Sequence, residues 1–203
     1  MFIDVNVAKC NEQILRVAER LGYSYLACSS MHNGFTGRVK AVGRVVVKAE
    51  SVSELKRVLA GDLQGYVSIV PLTVSTARWS SHDGRIDSIM MTGENLELFD
   101  KKQFRTMKIY RKPLEVSMRD LTSLSGSEGG RFYRRLNLAV RMGVQLVVGS
   151  GAEDWWDLLH PRVIVSFLKV AYDIPETKAL MSITATPAQI MASKTTIRNN
   201  TVR

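Results

Sequence analysis

The run Phe2-Ile3-Asp4-Val5-Asn6-Val7, with Glu12–Leu21 and Tyr23–Cys28 behind it, decides how the rest of the chain is read. The first six residues alternate apolar and polar, as a strand does. Ile14, Leu15, Ala18 and Leu21 then recur at helical spacing, and Gly22 follows where a helix turns left-handed and stops. Tyr23–Cys28 returns to a strand pattern. Strand, helix and strand with short joints make a βα unit, and the question is whether the unit recurs.

It does. Arg44–Ala49 reads as a third strand, then a helix over Glu54–Leu59 capped by Ser51 or Ser53, then a strand at Tyr66–Val70. Further on come apolar runs at Ile86–Met90, Leu114–Met118 and Gln145–Val148, with helices across Lys101–Tyr110 and Arg131–Met142 between them. Helices around Val163–Tyr172, Pro175–Met181 and Pro187–Met191 fill the end. About seven strands separated mostly by helices indicate a parallel βα sheet or barrel. Several strands are continuously apolar, as when both faces are covered. A doubly wound open sheet carries the same signature, so periodicity leaves sheet and barrel both open. Ser29–Lys40, Thr76–Arg85 and Thr122–Gly130 read as loops, being rich in small and polar residues or carrying Gly. The 203 residues carry no linker, so residues 1–193 are expected to form one domain, and 194–203 a mobile basic tail.

The charge is unbalanced: 28 Lys and Arg against 19 Asp and Glu leave +9, which favours an anionic partner. The cations are clustered. Lys101, Arg105, Lys108 and Lys112 step by helical spacings onto one face, with Phe104 and Met107 turned inward. Arg131, Arg134, Arg135 and Arg141 repeat the theme outside Phe132, Leu136, Ala139 and Val140. Neither row shows matching acids nearby, and such rows can follow a phosphate backbone. The plainer alternative is two solvated helix faces.

Several chemistries are disfavoured. His32, His82 and His160 stand alone, without metal-ligand spacing, and there is no nucleophile elbow or phosphate-binding loop. Asp4 and Asp87 could reach a barrel mouth, but structural roles are favoured for both. Gly149-Ser150-Gly151-Ala152 could approach a phosphate, yet Glu153, Asp154 and Asp157 follow, so a tight turn is the better reading. Trp155 and Trp156 could stack on bases, though packing or interface anchoring is the commoner use. Cys10 and Cys28 are expected as inert thiols in a reducing cytoplasm, close together only if adjacent strand ends bring them so. The most apolar helix, Val163–Tyr172, is far short of the ~20 residues a membrane span needs, and the N-terminus does not resemble a signal peptide.

The C-terminal half carries a resemblance. Ser117-Met118-Arg119-Asp120-Leu121 ends a strand in a Ser-x-Arg-x-Leu pattern and is followed by a polar linker and an Arg-rich helix. The strand into Gly149-Ser150-Gly151-Ala152-Glu153 comes next, then Trp156-Asp157, His160-Pro161-Arg162, Ile174-Pro175, Lys178-Ala179 and Ser182. This succession resembles archaeal RNase P protein component 3, the relative of the eukaryotic thirty-kilodalton RNase P subunit. It is specific over about the last ninety residues. There are departures: Leu159 and Val163 stand where the family has Arg and Asp around its Pro, and Phe167-Leu168 and Ala171-Tyr172 replace glycine-containing positions.

The resemblance implies a distorted TIM-like barrel of about seven parallel strands, related to the PHP phosphoesterases. Those enzymes hold metal through an HxH on the first strand, where this chain has Asp4-Val5-Asn6. It further implies a cytoplasmic, non-catalytic subunit that binds RNase P RNA, pairs with component 2, and meets precursor tRNA indirectly during 5′-end maturation. No cofactor is expected on the protein, and magnesium is expected with the RNA. The RNA contacts expected are Arg119, Arg131, Arg134, Arg135, Lys178 and the Lys101, Arg105, Lys108 and Lys112 row. A PHP-like phosphoesterase with an atypical metal site and an assembly protein with incidental charge are the alternatives.

Overall fold

The computed structural model describes residues 1–31 and 37–200, with side chains up to Ala192. Seven strands alternate with helices. They are β1 (Phe2–Cys10), β2 (Tyr23–Met31), β3 (Lys40–Ala49), β4 (Tyr66–Pro71), β5 (Ser88–Met90), β6 (Leu114–Ser117) and β7 (Leu146–Gly149). The helices are α1 (Glu12–Arg20), α2 (Val52–Leu59), α3 (Val74–His82), α4 (Lys101–Ile109) and α5 (Met118–Ser123). The series continues with α6 (Gly126–Arg141), α7 (Pro161–Tyr172), α8 (Glu176–Ser182) and α9 (Ala185–Asn200). The strands lie in chain order and every neighbouring pair is parallel. Of the two architectures left open, the barrel is the one adopted.

The barrel is nearly closed, and its seam is made in an unusual way. β1 and β7 share no continuous ladder. Instead the Ser150 N–H donates to the Asp4 carboxylate at 3.0 and 3.2 Å, the Gly151 N–H to the Asn6 carbonyl at 2.9 Å, and the Ala8 N–H to the Ala152 carbonyl at 2.8 Å. A Cβ on Gly149 would fall on Asn6 and within 3.0 Å of the Asp4 carboxylate, so only glycine lets β7 come this close. The Ile3 N–H donates to the Ile183 carbonyl at 2.9 Å, which ties β1 to the helices that end the chain.

Side chains sort by phase along each strand. Ile3, Val5, Ala27, Tyr66 and Val147 point into the barrel, where Ala188, Ile190 and Met191 of α9 pack against them as a plug. The alternate residues Ile89, Leu114, Val116, Leu146 and Val148 face outward and meet Phe104, Met107, Phe132, Leu136 and Leu168 of the surrounding helices. α9 runs on through Asn200, into the segment expected as a tail; side chains from Ser193 and residues Thr201–Arg203 lie outside the described residues. His32 and the centre of the Ser29–Lys40 loop lie outside them as well.

Two segments expected as loops are helical. Thr76–Arg85 is largely α3, whose buried side are the small residues Thr76, Ala77, Ser80 and Ser81. A stripe of small side chains leaves no apolar period to read, but it allows close packing: Gln103 Nε2 of α4 donates to the Ala77 carbonyl at 2.9 Å. Most of Thr122–Gly130 belongs to α5 and the start of α6. Gly129 and Gly130 weaken a helix in isolation, by roughly 1 kcal/mol each relative to Ala. A Cβ at Gly129 would lie 3.1 Å from the Leu124 carbonyl, so the tight α5–α6 corner favours glycine there. Among the described residues, no helix is long and apolar enough to cross a membrane.

Candidate nucleic-acid interface

α4 begins where Asp100 accepts the Gln103 N–H at 2.6 Å, and Arg78 holds the same carboxylate at 2.8 and 2.9 Å. Those contacts keep the Asp100 carboxyl below its ordinary value of 3.8 despite the opposing effect of burial. From this cap the helix presents Lys101, Lys102, Arg105 and Lys108 to solvent and buries Gln103, Phe104 and Met107, as the spacing predicts. Among the described residues none of the four cations has an ion-pair partner.

Lys112 does not join them. The helix stops at Ile109, the chain turns through Arg111 at φ 51°, and Lys112 folds inward to 7% exposure. Its ammonium donates to the Asp83 carbonyl at 2.8 Å and to the Ile86 carbonyl. The helical spacing was carried one step past the helix, and at that step the lysine ties together the backbone ahead of β5.

α6 lies beside α4. Glu97, in the short 3₁₀ segment Gly93–Leu98 ahead of α4, reaches Arg131 at 3.3 Å and Arg135 at 3.2 Å. At the other end Lys108 lies 3.5 Å from where a Gly143 side chain would begin. The two helices are thus linked at both ends, through Glu97 and through Lys108. The expectation that neither had matching acids is corrected for α6: Glu97 comes from 34 and 38 residues away and contacts two of its four arginines, offsetting one of their four charges. Arg134 and Arg141 are exposed. Arg119 and Lys178 stand elsewhere, Arg119 at the start of α5 and Lys178 exposed on α8.

The barrel interior holds a polar network that periodicity missed. Glu115 of β6 accepts from Arg44 of β3 at 2.6 Å, from Ser68 of β4 at 2.7 Å and from Ser88 of β5 at 2.5 Å, all buried. Arg44 also donates to the Val5 carbonyl, and its guanidinium lies 5.7 Å from the Tyr66 ring centroid. The available signal was the oddity of a lone Glu and a lone Arg in strands otherwise apolar enough to be buried. Asp4 and Asp87 turn out to serve the backbone. Burial pushes the Asp4 carboxyl above 3.8 while its bonds to Ser150 and Asn6 pull back, and Asp87 accepts the Val67 N–H at 2.6 Å. Among the described residues no three His, Cys, Asp or Glu side chains are grouped to hold a metal ion.

No protein-family model matches the chain. It is 30% identical over 181 residues to ribonuclease P protein component 3 of Aeropyrum pernix, a match covering 78% of this chain and 82% of that protein. The chain belongs to the ribonuclease P protein component 3 family. A chain in a cryo-EM structure of archaeal ribonuclease P with mature tRNA shares its fold, with a TM-score of 0.73 at 16% identity over 92% of this chain and 89% of that one.

Arg119 leaves the end of β6 and pairs with Glu153, and with Asp157 at 3.3 Å, so its charge is met within the protein. The Gly149–Ala152 segment is a tight turn whose N–H groups are spent on Asp4, Asn6 and the Ser150 hydroxyl. At the departures from the component 3 pattern, the Leu159 carbonyl accepts the Tyr23 hydroxyl at 2.8 Å, while Val163 is exposed on α7. Trp155 and Trp156 meet edge to face at 5.5 Å, Trp156 being 64% exposed and so no core residue. Cys10 of β1 and Cys28 of the neighbouring β2, expected as inert thiols, are paired as a disulfide with Cα atoms 5.8 Å apart.

Proposed function

We propose that this chain is a protein subunit of ribonuclease P that binds the RNase P RNA across the α4–α6 surface and is not itself the catalyst. The observation that carries the surface is the row Lys101, Lys102, Arg105 and Lys108, without an ion-pair partner among the described residues, with the arginines of α6 as the second row. Rows of this kind exchange condensed counterions for side-chain cations along a phosphate backbone, without reading sequence. Kinship with component 3 supplies the particle; the charge supplies the face. Arg119 and Lys178 are secondary contacts in this reading, and Arg119 must exchange Glu153 and Asp157 for phosphate to serve.

The non-catalytic part rests on donor chemistry. The first strand offers Asp4-Val5-Asn6, and both Asp4 and Asp87 spend their carboxylates on main-chain N–H groups. A hydrolytic metal would need those oxygens or imidazoles in their place. Kinship with component 3 supports the rest of this reading: work alongside component 2 in the cytoplasm, precursor tRNA met through the assembled particle, and magnesium carried by the RNA.

Reconstitution tests this directly. RNase P RNA and component 2, with and without the chain, are assayed for 5′ cleavage of precursor tRNA over a magnesium series. Cleavage extended to lower magnesium by the intact chain, and lost with Lys101→Glu/Arg105→Glu, is the expected result. No gain from the chain overturns the subunit reading. Phosphodiester cleavage by the isolated chain without RNA would instead favour a PHP-like hydrolase.

A further inference from the structure

The surface around α4 ends in a cavity. At the N-terminal end of the barrel, between the starts of β5, β6 and β7, the end of α4 and one side of α9, lies a space of about 680 Å3. Its deep wall is formed by buried residues, Ile86, Met107 and Pro113 together with Lys112, and its lining is mixed polar and apolar. Its rim carries Lys108 and Arg111 on one side and the amides of Gln145 and Gln189 on the others. The space is half open to solvent, so a ligand there would be only partly enclosed. In βα barrels this end usually serves stability, and the loops that bind ligands lie at the other.

The charges around it have different duties. Lys112 lines the deep wall with its ammonium committed to the Asp83 and Ile86 carbonyls. Asp87, the carboxylate in the wall, accepts the Val67 N–H at 2.6 Å. Lys108 and Arg111 have no carboxylate partner among the described residues. Arg111 is moreover held at φ 51°, a conformation that costs an L residue free energy and that glycine would adopt without strain. Cations do gather at helix C-termini, and that accounts for one lysine near the end of α4. It does not account for an arginine at a left-handed turn beside a cleft rimmed with amides.

We propose that this cavity receives one unpaired RNA nucleotide, its phosphate between Lys108 and Arg111 and its base edge hydrogen-bonded by the exposed amides of Gln145 and Gln189. The idea rests on the RNA-binding reading above and adds to it: the α4–α6 surface tracks backbone, and the cavity takes a base turned out of the strand.

The test titrates the intact chain with adenosine and uridine 5′-monophosphates and, separately, with inorganic phosphate, and measures single-stranded oligonucleotide affinity by fluorescence anisotropy. Arg111→Gly removes the cation at a backbone angle that glycine accepts, and Gln189→Trp fills the cavity from α9. Each is expected to weaken mononucleotide binding roughly tenfold. Circular dichroism checks folding, and Lys108→Gln serves as a second cation variant if the tryptophan variant does not fold. Mononucleotide binding unmoved by the folded variants overturns the proposal. Inorganic phosphate binding as tightly as the mononucleotides also overturns it, leaving an anion site only. Loss of component 2 binding by Arg111→Gly, with nucleotide binding unchanged, would assign the cavity to an acidic protein segment instead. If the RNase P reading fails, reconstituted cleavage gains nothing from the intact chain. If only the cavity fails, that gain stands while the mononucleotide titrations do not respond.

Discussion

Two sets of arginine–glutamate contacts use the same chemistry in opposite surroundings. Inside the barrel, Arg44 and Glu115 meet with neither side chain exposed, and Ser68, Ser88 and the Val5 carbonyl take up further hydrogen-bonding positions. On the surface, Glu97 is 66% exposed and shares its two oxygens between Arg131 and Arg135 at longer distances. The interior pair cannot reach a ligand, so its consequence is structural: it fixes β3 against β6 across the barrel. The surface set is worth little to stability, because water and salt screen it. Its consequence is electrostatic: it decides how much of α6's charge is left for RNA, and so makes α4 the stronger of two rows that look alike in sequence.

The largest effect should come from breaking the interior pair. Glu115→Ala leaves the Arg44 guanidinium buried without its counter-ion, which costs about 3–5 kcal/mol. At roughly 2–4 °C per kcal/mol for a chain of this size, thermal unfolding should move down by about 10 °C. The double change Arg44→Met/Glu115→Leu should recover much of that, since it removes both charges together. If calorimetry finds Glu115→Ala as stable as the parent chain, the interior pair is no different from the surface one.

The next largest effect separates the two rows. Lys101→Gln/Arg105→Gln removes unmatched charge, and each lost phosphate contact is worth about one log unit of RNA affinity at 0.1 M salt. Arg131→Gln/Arg135→Gln removes charge already half met by Glu97, and should lower both affinity and salt slope by less. Equal losses in filter binding over a salt series would end the distinction between α4 and α6.

Much of this was readable before any coordinates, and the failures share a cause. Seven strands were legible as alternating or apolar runs, and the inward Phe104 and Met107 and outward Lys101, Arg105 and Lys108 of α4 followed from spacing. α3 was missed because its buried side is Thr76, Ala77, Ser80 and Ser81, which have too little apolar surface to make a stripe. The first turns of α6 were missed because Gly129 and Gly130 read as loop until the α5 corner is seen to require small residues. Lys112 was misplaced because spacing does not show where a helix stops. Barrel closure through Gly149, Glu97 beside α6, and Arg44 against Glu115 are all long-range, and local periodicity holds no information about partners far off in the chain.

The smallest predicted change is the most selective. Glu97→Gln keeps size and hydrogen-bonding capacity but releases Arg131 and Arg135 from their counter-charge. Because exposed ion pairs contribute only about 0–1 kcal/mol, thermal stability should hardly move. RNA affinity should nevertheless rise by a few-fold at low salt, with a steeper salt slope, as two arginines become available to phosphate. The opposing signs are what give the variant its use. A purely structural Glu97 would lose stability and leave RNA binding where it was. A variant that gains neither affinity nor slope would mean that α6 faces away from the RNA, leaving α4 to carry the contact alone.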